Sequence, residues 1–138
     1  MSETTATERA DIHSVRNIVL LSIPLFIAHG FEEALTGIHT IDSQVMFAVG
    51  WMPFPVEVSF YVFQATFWIA LLGVYFLLAY RTLFVPLAIA IGIIYLYELH
   101  HVYKAAQIGG YYPGLISSMA LYVVGFFFWK KLLKKLLY

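Results

Sequence analysis

The chain has 138 residues, of which 62% are hydrophobic and 12% charged, and its mean hydropathy is +0.82. Soluble domains carry about 25% charged residues, so this surface is not built for water. Eight basic and eight acidic residues cancel, which leaves no global field for nucleic acid, and the absence of cysteine excludes disulfides and thiolate metal sites.

Residues 1–17 are polar and mix both charge signs, and no small-residue cleavage site follows before His29. They read as a cytoplasmic tail rather than a secretory signal. Residues 18–129 then hold four stretches near the roughly 20 apolar residues that cross about 30 Å of hydrocarbon. The first starts at about Ile18 and contains Pro24, which a membrane helix tolerates. The second follows the breaker-rich Gly50 to Pro55 stretch and ends at Arg81, and the third runs from Leu83 to Lys104. The fourth follows the turn-like GGYYPG and is short unless it continues into the basic segment 130–138. That segment, KKLLKKLL in its core, has the character of an amphipathic surface helix meeting anionic headgroups.

The expected fold is an all-α membrane protein, a bundle of four transmembrane helices with a short basic C-terminal extension. Under four spans, Arg9, Arg16, Arg81, Lys130, Lys131, Lys134 and Lys135 fall on one side and Lys104 on the other. Basic residues flanking short loops stay inside, so both termini are expected in the cytoplasm, with Gly37 to Pro55 and Gln107 to Pro113 outside.

Ionisable residues within a span are rare and face a bundle interior, where they pair, bind or react. Two groups stand out: His29, Glu32 and Glu33 in HGFEE, and Glu98, His100 and His101 in YELHH. Helical spacing puts His29 beside both glutamates, and Glu98 beside His101. Counted from the cytoplasmic ends, His29 lies roughly 18 Å along its helix and Glu98 roughly 22 Å, at about 1.5 Å per residue. Two parallel helices thus present the groups at similar depth, which predicts one shared site.

Glu-x-x-His is the ligand pattern of di-iron carboxylate bundles, and oxygen and nitrogen ligands without sulfur suit iron, manganese or zinc. The expected metal ligands are His29, Glu32, Glu33, Glu98 and His101, for one or two ions, with Glu32, Glu33 and Glu98 as catalytic carboxylates. Glu57, Gln64, His100 and Tyr112 are candidates for supporting positions around them. A purely structural reading competes, in which Glu32 and Glu33 cap a helix ending near Gly37 and Glu98 pairs with His101 to fix packing. Ser117 and Ser118 are expected to bond between helices, Gly73, Gly92 and Gly125 to permit close packing, and His13, His39 and Asp42 to be solvated.

At HGFEE the sequence resembles the HXXEE family of small bacterial membrane proteins, and HHVYKAAQIGGYYPGLISS looks like that family's second block, a histidine followed by a Tyr-x-Pro-Gly turn. The resemblance covers Leu20 to Leu121. It implies His29, Glu32, Glu33, His101, Tyr112, Pro113 and Gly114 as motif positions and a bacterial inner membrane as location, and it implies no chemistry.

The leading expectation is a membrane metalloenzyme acting on a lipid or isoprenoid-like substrate, as oxygenase, desaturase or hydrolase. A metal-free isomerase or cyclase using paired glutamates is the second, and a metal or proton carrier or accessory subunit the third. The expected partners are the bilayer and a hydrophobic small molecule, with no nucleic acid.

Overall fold

The computed structural model describes residues 3–137, with side chains from residue 10 onward. The Arg9 side chain, used above for orientation, lies outside the described residues, as do positions 1, 2 and 138. All regular structure among the described residues is helical: α1 (Glu3–Leu35), α2 (Ile38–Ile41), α3 (Ser43–Val49), α4 (Val56–Leu77), α5 (Arg81–Tyr97), α6 (His100–Ile108) and α7 (Leu115–Leu137). Four stretches are long and apolar enough to cross a membrane: Ala10–Leu35, Val56–Leu77, Arg81–Ile108 and Leu115–Leu137. The third of these is α5 and α6 together.

Helix α1 is the centre of the bundle, flanked by α7 on one side and α4 on the other, while α5 leans on α7 and touches α4 far less. Across the middle, α1 meets α5 through Phe26 and Tyr95, whose rings lie 5.6 Å apart. Val15, Val19, Phe84, Ala88, Leu121 and Phe128 continue that core toward the other end. Large apolar side chains such as Leu21, Ile69, Ile116 and Phe126 point outward instead. Such a surface suits hydrocarbon, where packing rather than water exclusion holds helices together.

The basic residues gather at one end. Arg16 donates to the Tyr75 carbonyl at the end of α4 (3.3 Å) and stacks over its ring, and Lys135 lies over Phe84 at the start of α5. The basic segment is not a separate surface helix: α7 runs unbroken through it, with Leu132 fully buried in the core. Likewise α1 begins at Glu3, so the polar N-terminal stretch continues the first spanning helix. The third span extends to Ile108, four residues beyond Lys104.

Close approach of α5 and α7 depends on two glycines. A Cβ on Gly92 would stand 2.5 Å from the Trp129 ring, whose indole N–H donates to the Gly92 carbonyl, and one on Gly125 would stand 2.9 Å from Tyr95. Gly73, by contrast, has no neighbour within 4 Å and does not serve packing. Gly92→Ala is therefore expected to lower stability in detergent by about 1–3 kcal/mol. Gly73→Ala should be neutral or raise it by up to about 1 kcal/mol, because only helix propensity changes. Denaturant titration followed by circular dichroism checks both.

Candidate functional site

The two ionisable groups meet because each lies on a helix face turned to the bundle centre. On α1, His29 and Glu33 are one turn apart, with His29 Nε2 3.5 Å from Glu33 Oε1. On the third span the chain tightens at the junction of α5 and α6. Leu99 N–H bonds to the Leu96 carbonyl (3.1 Å) and His101 N–H to the Glu98 carbonyl (3.2 Å), both three residues back. A turn of this kind eclipses positions i and i+3, so Glu98 and His101 project in one direction. The Tyr122 hydroxyl on α7 donates to the Glu98 carbonyl (2.6 Å) and satisfies the opened turn.

Glu98 Oε2 stands 2.9 Å from His29 Nε2 and 3.3 Å from His101 Nε2. Glu33 Oε1 faces the same two nitrogens at 3.5 and 3.4 Å. All four side chains are buried, His101 completely. Gln64 on α4 donates its amide to the other oxygen of Glu33 (2.7 Å), which holds that carboxylate in place.

The far side of each imidazole decides what the near side can do. His101 Nδ1 lies 2.6 Å from the Pro113 carbonyl, which only accepts, so Nδ1 carries the hydrogen. His29 Nδ1 lies 2.9 Å from Ser117 Oγ, and that hydroxyl spends its own hydrogen on Glu32 Oε2. His29 Nδ1 is therefore the donor as well. In the neutral rings both Nε2 atoms then present bare lone pairs to two carboxylates. His101 Nε2 and Glu98 Oε2 accordingly have no hydrogen-bond partner despite their burial. Lone pairs facing carboxylate oxygens at 2.9 to 3.5 Å repel unless a proton or a metal cation lies among them.

The spacing fits a metal. His29, Glu98 and His101 each offer one ligand atom, and the three atoms lie within 4.8 Å of one another. An ion bound at about 2.0–2.2 Å sets its ligands about 3.0–3.5 Å apart. Two imidazoles and one carboxylate form a donor set that leaves coordination positions open, and Nδ1–H bonds to a carbonyl and a hydroxyl are the usual outer support of such ligands. Gly114 closes the site from above: its φ of 84° lies in the left-handed region, and a Cβ there would stand 2.5 Å from His101 Cε1 and 2.7 Å from His29 Cε1. Only glycine permits both the turn and the approach.

Glu32 is not at this cluster. Its carboxylate turns to the start of α7, accepting from Ile116 N–H (3.1 Å), Ser117 N–H (2.7 Å), the Ser117 hydroxyl and the Tyr111 hydroxyl. It caps a helix, though α7 rather than its own, and reaches His29 only through Ser117. Glu57 is exposed at the start of α4 beside Tyr61 and takes no part. His100 packs against the His101 ring, 3.9 Å between centroids, with Nδ1 on the Tyr97 carbonyl. Gln64 does support the site, through Glu33.

Tyr112 stands beside the His101 ring, 5.9 Å between centroids, and reaches from there to a residue expected to be solvated. Its hydroxyl makes a short bond to Asp42, which is 1% exposed and also accepts from the N–H groups of Gln44 and Val45 at the start of α3. Lys104 stands 3.8 Å from the same carboxylate. His39 is buried too, stacked on Phe60. Asp-Ser-Gln ahead of Val-Met-Phe is a helix N-cap signature, and it was the signal available for α3.

Helix α3 thereby becomes the roof of a cavity of about 230 Å³. Val45, Ala48 and Val49 cover it, Phe60, Phe63 and Phe67 of α4 and Ile94 of α5 wall it, and His29, Glu33 and Glu98 stand at its polar end. Comparison of the chain with protein-family models, curated proteins and solved structures gives no match.

Asp42 lies outside the spanning segments, and its acidity is linked to the roof. Burial opposes its charge, but the Tyr112 hydroxyl, two backbone N–H groups and Lys104 outweigh it and hold its carboxyl below the usual 3.8. A depressed carboxyl contributes stability above its unfolded pKa and loses it as pH falls through the folded one. Amide protection across residues 43–49, taken relative to the unstructured exchange rate at each pH, is therefore expected to hold above pH 4 and to fall below it. Asp42→Asn should be poorly protected at both ends of that range.

Proposed function

We propose that this protein is a membrane-embedded metalloenzyme, with the metal held by His29, His101 and Glu98, that hydrolyses a lipid-like substrate. One observation carries the reading: two buried imidazoles, both committed at Nδ1, turn their Nε2 atoms toward one buried carboxylate. Two nitrogens and one oxygen suit zinc as they suit ferrous iron, and zinc when bound there would supply a Lewis acid that activates water. Glu33 is the general base, since Gln64 fixes one of its oxygens and leaves the other beside the ligand nitrogens. Glu32 orients His29 through Ser117 and is a positioning residue. The apolar walls exclude water and hold the substrate's hydrocarbon.

The four-span assignment supports a membrane location, and the clustering of Arg16, Arg81 and the α7 lysines at one end supports both termini in the cytoplasm. The site then faces the outer leaflet of a bacterial inner membrane.

A second reading rests on the 2.9 Å contact of His29 with Glu98: a proton shared there makes a metal-free acid–base pair suited to isomerisation. Elemental analysis of protein purified without chelator separates the two. The metalloenzyme reading predicts about one transition metal ion per chain. His101→Ala and Glu98→Ala should lose it, and Gly114→Ala or Ser117→Ala should weaken binding about 10- to 100-fold by disturbing ring orientation. Metal-free protein under those conditions sinks the reading.

A further inference from the structure

The cavity leading to the cluster restricts what reaches it, by charge, by size and by route. Among the described residues, no lysine or arginine lines it. Among the described residues Lys104, the one lysine or arginine at that end of the bundle, stands with Asp42 behind the roof. The polar end carries two carboxylates, Glu33 and Glu98, whose charge balances a divalent ion and leaves none for a further anion. A phosphate or carboxylate headgroup would find no lysine or arginine there and would face Glu33 and Glu98.

Size and route follow from the walls. Below the cluster, Phe26 packs edge-on against Phe67 at 5.5 Å and against Tyr95 at 5.6 Å, so the bundle is plugged and the cavity does not continue inward. Its volume of about 230 Å³ is space for the end of a single hydrocarbon chain. The mouth lies between α4 and α5, the loosely joined pair, where Phe63 and Tyr97 both line the cavity and stay exposed. Tyr97 donates to Gln44 of α3 across that opening (3.1 Å), tying the roof to its rim.

We infer that the pocket selects an uncharged single-chain lipid, an ester or related neutral group with the end of its chain held inside, entering sideways from the bilayer past Phe63 and Tyr97. Phospholipids and prenyl diphosphates are excluded by their charge. The inference rests on the proposed metal site for the fate of the neutral group, while the selection itself comes from the walls.

The test uses the full chain with its metal in phosphatidylcholine nanodiscs and a diazirine-bearing octanol as photoprobe. Labels are expected within residues 45–49 and 60–67. Unlabelled 1-octanol should compete, and octyl phosphate should compete at least about tenfold less well because its dianion faces Glu33 and Glu98 with no lysine or arginine in the walls to offset them. Ala48→Trp, which fills the roof, should abolish labelling while metal content stays at the wild-type level. Equal competition by octyl phosphate, or labels confined to other segments, overturns the inference with wild-type protein alone, whether or not Ala48→Trp folds. Metal measured on the same samples separates the two claims. Failed selectivity with metal present overturns the substrate class alone, and metal-free protein overturns the hydrolase reading.

Discussion

The orientation of two imidazole rings is the constraint on which the rest of this structure depends. Each ring is fixed from behind, His101 by the Pro113 carbonyl and His29 by Ser117, so that neither is free to turn its Nε2 away from the carboxylates. Holding them that way requires the loop before α7 to pass directly over both rings. Gly114 makes that passage possible, and Glu32 secures it by satisfying the first N–H groups of α7 and the Ser117 hydroxyl together. An anionic side chain at a helix start is favoured by both hydrogen bonding and the helix dipole. The HGFEE segment thus does two jobs with adjacent carboxylates: Glu33 faces the cluster and Glu32 fixes the loop that shapes it.

This division explains how much of the site was legible in the sequence. Intramembrane charge is costly, so His29, Glu33, Glu98 and His101 stand out against an apolar background, and counting along two parallel helices puts them at one depth. The same counting could not separate Glu32 from Glu33, since both lie one helical turn from His29. Which one turns inward depends on where α7 begins, a long-range contact that no local pattern carries. Glu57 lies away from the cluster for the same reason, and Tyr112 packs beside the His101 ring but gives its hydroxyl to Asp42. Their neighbours, Tyr61 and Asp42, are set by the packing of α4 and the roof rather than by spacing.

The four spans were legible from hydropathy, yet two features of their ends were not. The lysines near the C-terminus suggested a surface helix, but leucines interleaved with them continue the buried stripe of α7 as far as Leu132. Between Gly37 and Pro55, polar and breaker residues suggested a solvated connection. Burial of Asp42 with its Tyr112 partner, and of Ile38 and His39 against α4, makes that segment part of the domain instead. Nor did anything in YELHH, which lacks glycine and proline, announce the tightened turn at Glu98. That turn is stabilised from outside, by Tyr122 on the Glu98 carbonyl and Pro113 on His101. It exchanges regular helical bonds for the eclipsed arrangement that aims Glu98 and His101 together.

The central claim is that two imidazoles and a carboxylate hold one ion, and X-ray absorption at the edge of the bound metal reads that ligand set directly. Nitrogen and oxygen neighbours at about 2.0–2.2 Å are expected with the outer-shell scattering of two imidazoles, and loss of that metal signal in His29→Ala. A spectrum without imidazole scattering, or one that is unchanged in His29→Ala, would contradict it.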